Sequence, residues 1–180
     1  MGRPKLLLPF GGGTVVGGVV AALRGGGAGQ VVLVTAPGEE ELSAWGRERG
    51  LTVVLNPDPE RGMLSSVRCG VEALAAGSSL LVTPGDLPAL SAATVAAVVA
   101  ALKAGAGLAV PVHAGRRGHP LAVAAARVAE IGGLDPAIGL RQLLDRHPVT
   151  EVVVDDVGCV HDVDTREQYR ELAAGAEPKG

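Results

Sequence analysis

Apolar positions along this chain alternate between two rhythms. Short β-branched runs bounded by Gly or Pro read as buried strands at residues 30–36 (QVVLVTA), 51–56 (LTVVLN) and 151–156 (EVVVDD), and at 80–86 (LLVTPGD), a strand running into a turn. Segments of helical spacing lie between them. Residues 39–50 begin acidic and end with Arg47 and Arg49, which suits a helix dipole, and Gly50 is the stop. Residues 65–76 place Val67, Val71, Leu74 and Ala75 on one face. Further helices are predicted at 91–104, with Ser91 as N-cap, at 137–145, and at 165–174, capped by Thr165. The alternation breaks once: extended runs at 108–112 and 120–124, joined by a Gly- and Arg-containing turn, read as a hairpin beside the main sheet. Apolar strands separated by helices predict a three-layer α/β/α arrangement with a mostly parallel sheet. One domain is expected over residues 1–174, with a flexible tail at 175–180.

Composition sharpens this picture. Apolar residues make up 47% of the 180, yet Phe10, Trp45 and Tyr169 are the whole aromatic set. Ala, Val, Leu and Gly must build the core, which favours close packing of helices on a Val-rich sheet. The net charge of −3 and the absence of a basic run argue against a nucleic-acid polymer as partner, whereas a mononucleotide needs only a few placed groups. Cys69 and Cys159 stand far apart with no C-x-x-C partner, as expected of small buried residues in a reducing compartment. The Leu6–Leu8 run is too short for a secretory signal, and no stretch of 18 apolar residues suggests a membrane span. A cytoplasmic location is expected.

In a three-layer α/β fold, ligands sit beyond the carboxyl ends of the strands, so the turns there carry the candidate chemistry. Asp86, held between Pro84-Gly85 and Leu87-Pro88, suits Mg²⁺ coordination; an ordinary Asp in a Pro/Gly turn is the plainer reading. Asp162 and Asp164 flank Val163, so an extended segment points both carboxylates one way, and Asp164-Thr165 also reads simply as a helix start. Gly115 and Gly118 permit a turn presenting Arg116, Arg117 and His119, either to a phosphorylated substrate or to solvent. Ser65 and Ser66 open a helix, where they suit an anion or act as plain caps. His113 and His119 have no zinc-site spacing. No G-x-S-x-G elbow is present, so a nucleophilic hydrolase is not indicated.

In this order the segments resemble one family, the molybdenum cofactor nucleotidyltransferases, and especially their cytidylyltransferase branch. Residues 1–12, MGRPKLLLPFGG, look like the second half of that family's loop, R-M-G-x-P-K-L-L-L-P-x-G-G. The similarity continues through Asn56-Pro57, residues 62–66 (GMLSS), residues 84–88 (PGDLP), residues 115–120 (GRRGHP) and residues 162–165 (DVDT). The resemblance implies a nucleotide-diphospho-sugar transferase-like, Rossmann-like fold. It implies transfer of CMP from CTP to the molybdopterin-bound molybdenum cofactor, with Mg²⁺ as the metal and a molybdenum hydroxylase as a partner to receive the product. By position, Lys5 and Asp86 would be catalytic, with Asp86 and Asp164 as metal ligands. Gly2, Arg3, Lys5, Ser65, Ser66 and Asp86 would bind nucleotide, and Arg117, Gly118, His119 and Arg141 the pterin. Two rival readings remain: a guanylyltransferase of the same fold using GTP, and a non-catalytic module that binds and delivers the cofactor.

Two departures from the pattern bear on these expectations. Ala137 stands where the family has an acidic residue ahead of Gly139 and Arg141. Met1 falls on the family's internal Met, so the native protein is expected to be longer by roughly 15–20 residues, a strand and a glycine-rich turn. The 180-residue chain alone is therefore expected to bind nucleotide weakly and to turn over slowly.

Overall fold

The computed structural model describes residues 4–165, 168–170 and 172. The chain enters through a 3₁₀ turn at Lys5–Leu7 and a small hairpin of β1 (Pro9–Phe10) and β2 (Gly13–Thr14). Gly11 and Gly12 turn that hairpin with φ of 54° and 78°, a region that strongly favours glycine. Then follow α1 (Val15–Gly25), β3 (Val32–Thr35), α2 (Glu40–Glu48), β4 (Thr52–Leu55), α3 (Met63–Glu72), β5 (Leu80–Val82) and α4 (Ala92–Lys103). The second half holds β6 (Leu108–His113), β7 (Arg116–Arg117), β8 (Leu121–Val123), α5 (Ala125–Val128), α6 (Arg141–Arg146) and β9 (Thr150–Val153).

The α/β class and the central hairpin are as the pattern predicts, with β6 and β8 antiparallel. The expected mostly parallel sheet is corrected to a mixed one. Parallel pairing joins β3 to β4 and β6 to β9, while β8 runs antiparallel to both β5 and β6, and β7 antiparallel to β6. The physical reason is the hairpin: a return by a short turn reverses strand direction, and β8 then sits inside the sheet rather than beside it. The helix expected at 137–145 forms only over Arg141–Arg146, and α1 was not expected at all.

Both faces of the sheet are covered. Along β6, Leu108 and Val110 pack with Leu121, Val123, Ile131 and Leu143 on one side, while Ala109 meets Ala122 and Val98 of α4 on the other. That alternation follows from the pleat, and the small Ala face lets α4 come close. Leu33 and Val53 cover α2 at Gly46, while Val34 faces Gly70 of α3. The Ser91 cap is as expected, its hydroxyl accepting from Thr94 N. Cys159 is buried, Cys69 is partly buried, and both thiols are free. Among the described residues no helix is long and apolar enough to cross a membrane.

The β3–β4 pair and the β5-to-β9 group are not hydrogen-bonded to each other. Between the outer edge of β3 and that of β5 runs an apolar cavity of about 950 Å³, roofed by Val16, Val19, Val20 and Leu23 of α1 and floored by Val67 and Gly70 of α3.

The corner that carries the last strand is pinned by Asp156. Its Oδ2 accepts from Ser91 N at 3.0 Å and Thr94 Oγ1 at 2.6 Å, and its Oδ1 from Gly158 N at 3.0 Å. Burial by itself would raise this carboxyl, but those donors outweigh it and hold its pKa below the usual value. A depressed folded-state pKa gives stability that is present above the unfolded value and is lost as pH falls through the folded one. Asp156→Asn is expected to lower stability at pH 7 by about 2 kcal/mol and to flatten the acid limb of the stability curve, read by urea melts between pH 7 and pH 3.

Candidate active site

Lys5 reaches the site because its turn is anchored on both sides. Leu6 lies on Gly85, where an added Cβ would stand 3.3 Å from Leu6 Cδ1, a tight contact. Leu8 O accepts from Val15 N, tying the segment to the start of α1. Thr14 caps that helix through Gly17 N. Asp86 follows β5 and Pro84-Gly85. Its backbone carbonyl accepts from Val163 N at 2.9 Å, which brings the 162–165 segment alongside. Thr165 caps the last turn as expected, accepting from Gln168 N, and Gln168 Oε1 accepts from the amides of Asp164 and Thr165.

The outcome is three charges at one point. Lys5 Nζ donates to Asp86 Oδ2 at 2.8 Å and to Asp164 Oδ1 at 2.9 Å. Asp86 is the more enclosed carboxylate, its side chain 20% exposed against 63% for Asp164. Partial burial pushes the Lys5 ammonium towards losing its proton, but the two carboxylates outweigh this and its pKa is raised. The donor set is oxygen only, and both carboxylates already converge on one cation, which suits a hard divalent ion. Among the described residues no group of three or more His, Cys, Asp or Glu side chains assembles. An ion here would therefore draw further ligands from phosphate and water, as Mg²⁺ commonly does.

The remaining expected residues divide. Ser66, Arg117, Gly118 and His119 line the large cavity together with Pro84 and Gly85. His119 N donates to Cys159 O at 2.8 Å, and its Nδ1 is buried without a partner among the described residues. Burial depresses the His119 pKa, opposed by the Val82 carbonyl and the charges of Asp86 and Asp162. A neutral ring beside the acidic cluster can accept or donate one hydrogen bond. Arg117 Nε donates to Glu151 Oε1 at 2.7 Å in an exposed pair. Arg141 does not join the Lys5 cluster: it pairs loosely with Asp145 at 3.9 Å and lines a neighbouring hollow of about 350 Å³ with Met63, Ala137 and Ile138. Gly2 and Arg3 lie outside the described residues, as does the 175–180 tail.

Ser65 is occupied locally, donating to Gly62 O at 2.8 Å. The group that organises this loop is one that sequence reasoning left without a role. Asn56 is 2% exposed, and its Nδ2 donates to both Ser65 Oγ and Ser66 Oγ while its Oδ1 accepts from Asp58 N. The signals for it in the sequence are an amide at a strand end, ahead of a proline and nine residues before a serine pair, and the place of Asn56-Pro57 in the resemblance. Asn56→Ala is expected to cost about 2–3 kcal/mol by leaving these groups unpaired, measured by urea melts, with Asn56→Asp recovering only part of it.

Comparison with known proteins follows the same lines. A family model described as "MobA-like NTP transferase domain" matches residues 1–152. The chain is similar to a protein of Escherichia coli (strain K12) named molybdenum cofactor cytidylyltransferase, 28% identical over 94% of this chain and 86% of the relative. It is also similar to one of Paenarthrobacter nicotinovorans named nicotine blue oxidoreductase, 31% identical over 96% and 89%. Among solved structures it is similar to Rv0371c of Mycobacterium tuberculosis H37Rv, with a TM-score of 0.83, 29% identity, and coverage of 97% of this chain and 91% of that one. The manganese complex of Rv0371c superposes with a TM-score of 0.76, at 26% identity over 95% of this chain and 91% of that one.

Proposed function

Because this chain belongs to the family of MobA-like NTP transferase domains and is therefore a nucleotidyltransferase, we propose that it transfers CMP from CTP to the molybdopterin-bound molybdenum cofactor. The observation that carries this reading is the Lys5 ammonium held between Asp86 and Asp164 beyond the end of β5. The name of the Escherichia coli relative supports the choice of substrates.

In the proposed reaction a terminal phosphate oxygen of the pterin attacks the α-phosphorus of CTP. A new P–O bond forms, the bond to the β-phosphate oxygen breaks, and pyrophosphate leaves with its electron pair. A phosphate nucleophile is already anionic, so the protein needs no general base. Its task is to align and neutralise. Asp86 and Asp164 would hold Mg²⁺, which when bound neutralises charge on the triphosphate. Lys5, an ammonium, offers a cation to phosphate oxygens when it swings off the carboxylates. Ser66 stands at the cavity wall for the nucleotide. Arg117, Gly118 and His119 face the same cavity from the side assigned to the pterin.

The test is pyrophosphate release by protein purified from its source cells, given molybdopterin cofactor, Mg²⁺ and either CTP or GTP. Release with CTP alone is expected. Release with GTP alone would move the reading to the guanylyltransferase, and cofactor binding with no release under either nucleotide would leave a delivery module.

A further inference from the structure

Asp164 stands 63% exposed at the rim of the site, yet its carboxylate meets the Lys5 ammonium directly. The backbone that carries it leaves the core at Val163, which is 2% exposed. Beyond that point the chain folds on itself. Gln168 Oε1 accepts from the amides of Asp164 and Thr165, Thr165 Oγ1 accepts from Gln168 N, and Tyr169 N donates to Thr165 O at 3.0 Å. These bonds shape the 164–169 turn but do not place it. Among the described residues, two hydrogen bonds tie the turn to the rest of the molecule, and both end on the N-terminal segment. Lys5 Nζ donates to Asp164 Oδ1 at 2.9 Å, and the Tyr169 hydroxyl donates to Pro9 O at 2.5 Å. Pro9 opens β1, and Leu8 beside it is fixed to the start of α1 through Val15 N. The hairpin that follows Lys5 therefore also receives Tyr169.

An exposed ion pair alone holds two flexible side chains poorly, because solvent screens it and both chains lose rotamer freedom. A second attachment on the same turn changes this, since each bond makes the other intramolecular and raises its effective concentration. We propose that Tyr169 is a positioning residue of the active site: its hydroxyl clamps the 164–169 turn onto Pro9 and thereby holds the Asp164 carboxylate beside Lys5 and Asp86. The clamp itself stands on these contacts, while its bearing on metal affinity rests on the proposed function, in which Asp164 is a ligand. In this role Tyr169 acts through Asp164 and not on the reacting atoms. It sets the fraction of molecules in which Asp164 is in place, and so governs how much metal is needed more than the rate once metal is bound.

Tyr169→Phe removes the hydroxyl and keeps the ring. Amide exchange at Asp164 and Thr165, followed by NMR, is expected to quicken about fivefold, the weight of one hydrogen bond. Tm is expected to stay within about 2 °C of the parent. Mn²⁺ titrated alone and read by electron paramagnetic resonance is expected to bind about two- to fivefold more weakly. In an Asp164→Asn background the same change is expected to leave Mn²⁺ affinity unaltered, because the carboxylate it positions is gone. In pyrophosphate release, the apparent KM for Mg²⁺ is expected to rise by a similar factor, while kcat at saturating Mg²⁺ falls by less than about twofold. Unchanged exchange at both amides would overturn the clamp, whatever the metal does. An equal loss of Mn²⁺ affinity with and without the Asp164 carboxylate would overturn positioning through Asp164. Mn²⁺ binding that neither Asp86→Asn nor Asp164→Asn weakens would instead refute the metal site of the proposed function, and amide exchange alone would then decide the clamp.

Discussion

Asp86→Asn is expected to reduce kcat/KM for pyrophosphate release about 1,000-fold, the size of loss seen when one preorganised electrostatic partner is removed from a reacting centre. The substitution preserves shape and one oxygen, so it removes charge and little else. Asp86 is the more enclosed of the two carboxylates and shares Lys5 with Asp164. Its charge is therefore the less screened and the harder to replace by solvent. Asp164, more exposed, is expected to matter less, with Asp164→Asn costing on the order of 10-fold. Thermal stability should hardly move in either variant, because partly exposed ion pairs contribute little. Steady-state rates at saturating and limiting CTP, with a melt of each variant, check all of this. An Asp86→Asn protein that keeps more than a tenth of its activity would remove Asp86 from the chemistry.

Gly158→Ala is expected to lower stability by about 3 kcal/mol and Tm by about 6–12 °C. A Cβ at this position would stand 2.1 Å from Ala89 O, 2.3 Å from Ala89 C and 2.8 Å from Leu90 N. All three are backbone atoms, so no flexible side chain can give way. The opposite side of the same turn is closed by Gly18 of α1, where a Cβ would meet Pro88 O at 2.4 Å. The 87–90 turn is thus gripped between two glycines, and it continues directly from Asp86. Displacing it should also lower activity, by more than the stability loss alone accounts for at 25 °C. Gly132→Ala, where nothing lies within 4 Å of the added carbon, is the control and should stay within ~0.5 kcal/mol of the parent. Urea and thermal melts on the three proteins decide it. A Gly158→Ala protein as stable as the control would mean the turn is looser than its contacts indicate.

Local pattern was enough for β3, β4, α2, α4 and the β6–β8 hairpin, because a strand or helix writes its period into neighbouring residues. It was not enough for α1. Val15, Val16, Val19 and Val20 with Gly17 and Gly18 are poor helix formers by intrinsic propensity. What makes them helical is burial of the valines and the backbone of Pro88 lying on Gly18, a contact made across the fold. The mixed sheet was likewise hidden, since a run of apolar residues does not reveal which neighbour it pairs with or in which direction.

The candidate site divides along the same line. Which residues carry charge, and the turns that display them, could be read from the chain in order: Lys5 after Pro4, Asp86 between two prolines, Asp164 before a helix cap. That one ammonium bridges both carboxylates could not, for the partners stand 81 and 159 positions away along the chain. Nor could it be seen that Arg141 lies in a separate hollow, or that Asn56 organises the serine loop from a buried strand end. Periodicity and turn chemistry act between near neighbours, whereas a shared cation, a glycine contact and an open sheet edge arise only when distant segments are packed together.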